Sequence, residues 1–277
     1  MIKPKLLDLH ITENCNLTCE SCSDFNNHGF TSMLSLEDGE RWMSLWNKRI
    51  QPEKFIILGG EPTLHKDLIP FLKLARNMWP DSEVVLTTNG FFIHQHDGLD
   101  KVLKENNITL GVSLHHKSKE YMRRLRSNIL LLKEWKKSGV RLHITPYPEK
   151  WAKIYHGYGD NILPYEDNDP ESSWNCCINK GCYQLRNGHI YKCPPLAYLP
   201  LMAESYRISD KWDPYLKYTP LTSECSDKEL SEFFSRESES VCAMCPANME
   251  FYDADTLKSP LMSVKETKAY YESKSIH

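Results

Sequence analysis

The chain has 277 residues, 40% of them hydrophobic and 26% charged, with a formal net charge of −3. That length suits one large domain, or one plus a small appendage, and the balanced charge carries no global signature of nucleic-acid or membrane-surface binding. No apolar stretch approaches a membrane-spanning length and the opening Met-Ile-Lys-Pro-Lys lacks a signal-peptide core, so a cytoplasmic location is expected.

Apolar runs predict strands over 6–12, 54–60, 83–88, 108–114 and 140–146, with amphipathic helices over 35–50, 67–79, 98–107 and 119–138. The first helix opens on Ser35-Leu36-Glu37-Asp38, a capping-box-like start, and the fourth ends at Gly139, a C-cap residue. Strand–helix alternation with crossovers of this length predicts an α/β fold with a parallel sheet, and a sixth strand is sought within 151–165. Trp42, Trp46, Trp79 and Trp135 stand at helical spacing and read as packing. From Lys117 to Arg141 there are nine basic residues and two acidic ones, most of them expected on the solvent face of the fourth helix, with Arg123, Arg124 and Arg126 near its start as candidate anion contacts. Past residue 150 the pattern changes to an irregular stretch rich in Gly, Pro and cysteine, which divides the chain into a core over 1–150 and a cysteine-rich extension over 151–277. The last 20 or so residues are polar, a helix or a frayed tail.

Ten cysteines in a chain this long, with no signal segment, point to metal binding more than to disulfides. Cys15, Cys19 and Cys22, spaced C-x3-C-x2-C, follow the first strand directly. Soft thiolates select iron–sulfur clusters, zinc or copper(I). Three from one loop leave one iron of a 4Fe-4S cluster open, whereas structural zinc usually draws four protein ligands. The second strand ends in Gly59-Gly60-Glu61-Pro62, where glycines permit close backbone approach and Glu61 offers an acceptor for an ammonium group. Thr87-Thr88-Asn89-Gly90 ends the third strand, and Ser113, His115 and His116 end the fourth. Tyr147, Trp151 and Tyr155 follow the fifth as candidate pocket residues.

With these motifs in this order the chain resembles the radical S-adenosylmethionine (radical SAM) superfamily. The resemblance implies a partial (β/α)6 TIM-like barrel with its chemistry at the C-terminal strand ends. It further implies a 4Fe-4S cluster on Cys15, Cys19 and Cys22, whose open iron chelates SAM, with Gly59, Gly60 and Glu61 at the SAM amino group. Asn89 would border the SAM site and Ser113 would reach the SAM carboxylate or ribose. One departure is Ser21, where the family often has an aromatic residue, so adenine stacking is sought elsewhere, at Phe25 for example.

The downstream cysteines are Cys176, Cys177, Cys182, Cys193, Cys225, Cys242 and Cys245. Gly188-His-Ile-Tyr-Lys-Cys193 reads as turn, short strand and cysteine, and Cys242-Ala-Met-Cys245 is a compact C-x2-C pair. This set resembles the twitch domain, a short form of the SPASM extension, in which four cysteines bind a second, auxiliary 4Fe-4S cluster. Cys193, Cys242 and Cys245 match that pattern, and the fourth ligand is open among Cys176, Cys177 and Cys182. A structural zinc site on the same residues is the alternative, and Cys225 reads as a bystander.

The activity so implied is reductive cleavage of SAM to methionine and a 5′-deoxyadenosyl radical, which abstracts hydrogen from a polar substrate: a small metabolite, a sugar or a nucleotide. The auxiliary cluster would assist an oxidation, as in compact radical SAM dehydrogenases acting on aminocyclitols, or a rearrangement as in an isomerase or mutase. Electrons would come from a flavodoxin- or ferredoxin-type donor; no membrane partner is expected, and nucleic acid stays open. A peptide-modifying enzyme and a non-enzymatic iron–sulfur or zinc module are the other readings. A zinc hydrolase would lack an H-E-x-x-H ligand motif.

Overall fold

Five strands, β1 (Leu6–His10), β2 (Lys54–Leu58), β3 (Glu83–Thr88), β4 (Thr109–Ser113) and β5 (Leu142–Thr145), pair side by side in parallel, each with the next. Their crossovers carry α1 (Leu36–Trp46), α2 (Leu68–Met78), α3 (Leu99–Glu105) and α4 (Lys119–Lys137). The computed structural model describes residues 1–253 and 255–274.

Packing divides the chain into two compact units. The first is Met1–Asn16, Phe30–Tyr147 and Tyr183–His189; the second is Leu17–Gly29, Pro148–Cys182 and Ile190–His277. The first holds the barrel-like sheet. Leu7, Leu9, Phe55, Ile57, Val84, Leu86 and Leu110 are fully buried in it, as expected where helices cover a parallel sheet; burying each such side chain contributes about 1.5–3 kcal/mol. Trp46 and Trp79 are also fully buried, and their indole N–H groups donate to Gly188 O (2.8 Å) and Ile50 O (3.0 Å). Helix ends follow the sequence: Ser35 Oγ accepts from Asp38 N at 3.0 Å, and Gly139, at φ 100°, takes the left-handed conformation just past α4.

The strand beside β1 differs from expectation. Residues 151–165 supply no barrel strand: β6 (Lys150–Lys153) pairs instead with residues Glu250–Asp253 in a separate antiparallel ribbon. The free edge of β1 is taken by β7 (Tyr183–Arg186), in parallel, with Asp8 opposite Gln184. Gln184 Nε2 donates to Asp8 Oδ2 at 2.8 Å with both side chains buried, which makes this register specific. The main sheet closes with His189–Tyr191, the short strand read after Gly188.

The second unit is built from short helices and loops around Pro194–Ser205, with Trp212, Tyr198 and Met202 in its core. Of the polar final stretch, Val264–Lys274 is helical, and residues 275–277 lie outside the described residues. No helix of the described residues is long and apolar enough to cross a membrane.

Candidate metal centres

The strand ends of the first unit bring several expected residues together. Past β1 and β2 the two chains stay in contact: Gly60 N donates to Thr12 O (2.8 Å) and Glu61 N to Asn14 O (2.7 Å). A Cβ on Gly59 would stand 2.3 Å from Thr12 O, and one on Gly60 would stand 2.4 Å from Asn14 O. The glycines therefore serve a close approach of backbone to the segment that leads into Cys15.

Glu61 is turned inward. Its side chain is fully buried, and Oε1 accepts from Thr63 N (3.0 Å), Thr63 Oγ1 and Thr88 Oγ1 (2.5 Å), while Oε2 accepts from Asn89 N (2.7 Å). Burial pushes its carboxyl above the usual range, and these four donors pull in the opposite direction. Asn89 in turn donates through Nδ2 to Asn16 Oδ1 at 2.7 Å. So the ends of β2 and β3 brace the residues on either side of Cys15.

Two further braces were not read from sequence. Glu13 is held by Arg186 of β7 and by Ser32 Oγ (2.6 Å), and Asn128 of α4 donates to Gly90 O (2.8 Å) and Phe91 O (2.7 Å). Neither residue lies in a motif; only the topology brings them in. Ser113 sits half-buried at the end of β4 opposite Thr145. Beyond it, burial lowers His115 to about 4, and His116 Nδ1 accepts from Ser118 N (3.2 Å) near Tyr121 and Tyr147. Arg123 and Arg124 are exposed and both bind Glu120 at 2.8 Å, as a solvated face does.

Cys19 and Cys22 belong to the second unit, on the segment Leu17–Gly29. Burial pushes the Cys19 thiol up to about 12 and the Cys22 thiol higher still. Phe25 is fully buried and stacks on Tyr155 at 5.0 Å, so its ring is spent on packing and is no surface for adenine. Ser21, at φ 47°, accepts from Ile154 N at 2.8 Å, and Trp151 Nε1 donates to Glu20 O at 2.6 Å. His28 stacks on Tyr158 (4.3 Å), and Tyr158 on Tyr271 (5.0 Å). Trp151 and Tyr155 thus hold the cysteine segment.

The same unit gathers the second cysteine set. Cys177, Cys193, Cys242 and Cys245 line a hollow of about 360 Å³, mouth included, with Trp174, Lys192, Leu196 and Met244. Burial raises all four thiols, and each is raised further by at least one of the others or by Glu239. Cys176 is not among them: its Sγ faces the carbonyls of Pro246 (3.3 Å), Ser173 and Ala247 (both 3.6 Å). Cys182 and Cys225 do not line the hollow either. Lys192, 3% exposed by side chain, pairs with Glu239 (3.1 Å) and lies over Trp174, 4.5 Å from the ring centre. Among the described residues no three His, Cys, Asp or Glu side chains converge tightly enough for a single metal ion; the four thiols surround a space.

The donor chemistry fits iron–sulfur clusters. Buried thiols held neutral by desolvation become thiolates readily once a polycation offsets their charge, and within the first unit Gly59 and Gly60 approach the backbone of Thr12–Asn14, just before Cys15, too closely for a Cβ.

Residues 9–161, more than half the chain, match the family model described as the Radical SAM superfamily. A GTP 3′,8-cyclase of Campylobacter jejuni is 33% identical over 125 residues, covering 42% of this chain and 38% of the relative. A 7,8-dihydro-6-hydroxymethylpterin dimethyltransferase of Methanocaldococcus jannaschii is 39% identical over 102 residues, covering 36% of this chain and 20% of the relative. The chain therefore spans well under half the length of each. Among solved structures, BtrN in complex with AdoMet and 2-DOIA aligns with 93% of this chain and 100% of its own at a TM-score of 0.50 and 17% identity, a likeness of fold alone. On the family match, carried by the segment that holds Cys15, Cys19, Cys22 and Gly59–Glu61, the chain belongs to the Radical SAM superfamily.

Proposed function

We infer that this is a radical SAM enzyme acting on a polar substrate, with a barrel core over 1–150, a twitch-like extension over 151–277 and an auxiliary 4Fe-4S cluster held by Cys177, Cys193, Cys242 and Cys245. The observation that carries the second cluster is the hollow lined by those four thiols, with Cys176 bonded away from it.

Cys15, Cys19 and Cys22 would hold the first cluster. When bound, that cluster and SAM supply one-electron cleavage of SAM to methionine and the 5′-deoxyadenosyl radical. The residues of the chain position and shield. Glu61, Thr88 and Asn89 fix the loop around Cys15 by hydrogen bonds, Gly59 and Gly60 let backbone pass close to it, and Ser113 offers a hydroxyl at the end of β4. Since the Glu61 carboxylate is occupied inside the fold, the SAM amino group is assigned to backbone acceptors of the Gly59–Glu61 strand end.

The named relatives that match the core include enzymes of a nucleotide and of a pterin, which favours a polar small-molecule or nucleotide-type substrate over a peptide. An auxiliary cluster suits net oxidation, since it offers an electron acceptor, and a flavodoxin- or ferredoxin-type protein is the natural donor. The test is anaerobic incubation of reconstituted, reduced protein with SAM. Formation of 5′-deoxyadenosine, abolished by joint replacement of Cys15, Cys19 and Cys22 with Ala, supports the enzyme; none from iron-loaded wild type leaves an iron–sulfur module.

A further inference from the structure

Lys258 is a buried lysine of the second unit, outside both cysteine sets. It is 7% exposed, far along the sequence from the first cysteines, and its ammonium donates to Thr18 O and to Thr18 Oγ1 (3.2 Å). Thr18 immediately precedes Cys19. The rest of the Lys258–Tyr271 segment grips the same place with neutral groups. Thr18 N donates to Pro260 O (2.9 Å), Thr18 Oγ1 to Met262 O (2.9 Å) and Thr267 Oγ1 to Thr18 Oγ1 (3.0 Å). Tyr271 OH donates to Glu20 Oε1 at 3.2 Å. All these residues lie in the second unit.

Neutral contacts alone would pin the loop. Burying a lysine is expensive unless its charge is used, and the charge here is bound to Thr18, the residue next to Cys19, with Glu20 following in sequence. A positive charge close to a thiolate-ligated centre favours whichever state is more negative: the thiolate over the thiol, and the reduced cluster over the oxidised one.

We propose that Lys258 is a positioning residue that holds Thr18–Cys19 in place and, by its fixed charge, eases one-electron reduction of the cluster on Cys15, Cys19 and Cys22. Glu20 opposes it. The proposal rests on the assignment of those cysteines as cluster ligands. It involves no bond making: one electron passes from an external reductant to the cluster, and Lys258 keeps its proton.

The test is a potentiometric titration of the full, anaerobically reconstituted chain, following the reduced-cluster electron paramagnetic resonance signal that responds to added SAM. In Lys258→Met the ratio of reduced to oxidised cluster at a fixed potential is expected to fall about tenfold, equal to about 59 mV for one electron. Lys258→Arg and Thr267→Val stay within about twofold of wild type, and Glu20→Gln moves the other way. An unchanged ratio in iron-loaded Lys258→Met overturns the electrostatic role. Should that variant not load iron, Glu20→Gln decides: no rise in its ratio overturns the proposal. Wild type that itself binds no SAM-responsive cluster refutes the ligand assignment instead, a different outcome from either.

Discussion

The Glu61 carboxylate accepts the backbone N–H of Asn89 at 2.7 Å, tying the end of β2 to the end of β3. With Thr63 and Thr88 on its other oxygen, the buried acid is a brace first. Glu61→Gln would turn an amide N–H₂ toward donors and is expected to cost about 2 kcal/mol in the metal-free protein. Thermal melting of apo Glu61→Gln checks this. An unchanged melting temperature with weakened SAM binding would make the carboxylate a SAM contact rather than a brace.

Gly60→Ala places a methyl group 2.4 Å from Asn14 O, a backbone atom that cannot swing aside. We expect a loss of about 2 kcal/mol and reduced iron retention, because Asn14 adjoins Cys15. Ala at Gly111, whose backbone like that of Gly60 is not left-handed and where a Cβ meets nothing closer than 3.5 Å, is the control and should retain full iron content.

Much of this was legible in the chain. The five core strands and four helices fall within a few residues of their predicted positions, because alternating apolar runs and capped amphipathic stretches are local signals. β7 was not: Tyr-Gln-Leu-Arg is too short to stand out, and its partner Asp8 lies 176 residues away. Phe25 read as a ligand platform because its position beside Cys22 is visible in sequence, whereas its stacking on Tyr155 is not. The choice among Cys176, Cys177 and Cys182 was likewise closed to spacing; that Cys177 lines the hollow while its neighbour Cys176, at the end of the Pro170–Cys176 helix, donates to Pro246 O is visible only in the packing.

Lys192 and Glu239 form a largely buried pair beside the second cysteine set, 3% and 14% exposed. Lys192→Met leaves the carboxylate only the more distant, exposed Arg236 (3.4 Å) and is expected to cost about 2 kcal/mol. Lys192→Met/Glu239→Leu removes both charges and should recover most of it. Denaturant melts of the two singles and the double give the coupling; additive losses would mean that the pair does not interact.

His28 gives a pH prediction with a definite sign. Burial lowers it from 6.5 to about 4, so the fold favours the neutral ring. Its contribution is full above pH 6.5 and is lost as pH falls toward 4, amounting to about 2 kcal/mol between pH 7.5 and pH 5. His65 and His115 are lowered too, so wild type softens in acid by more than this. His28→Gln should show a shallower acid loss, measured as urea stability at the two pH values; equal losses would remove His28 as a source.

The central claim is that two cysteine sets hold two clusters and that Cys177 completes the second. The most direct measurement is iron and labile sulfide per chain after anaerobic reconstitution, in wild type and in single Cys176→Ala, Cys177→Ala and Cys182→Ala variants. We predict about eight irons in wild type, Cys176→Ala and Cys182→Ala, and about four in Cys177→Ala. About four irons in wild type, with zinc making up the remainder and lost on replacing Cys177, would contradict the second cluster; about four only in Cys176→Ala or Cys182→Ala would contradict the ligand.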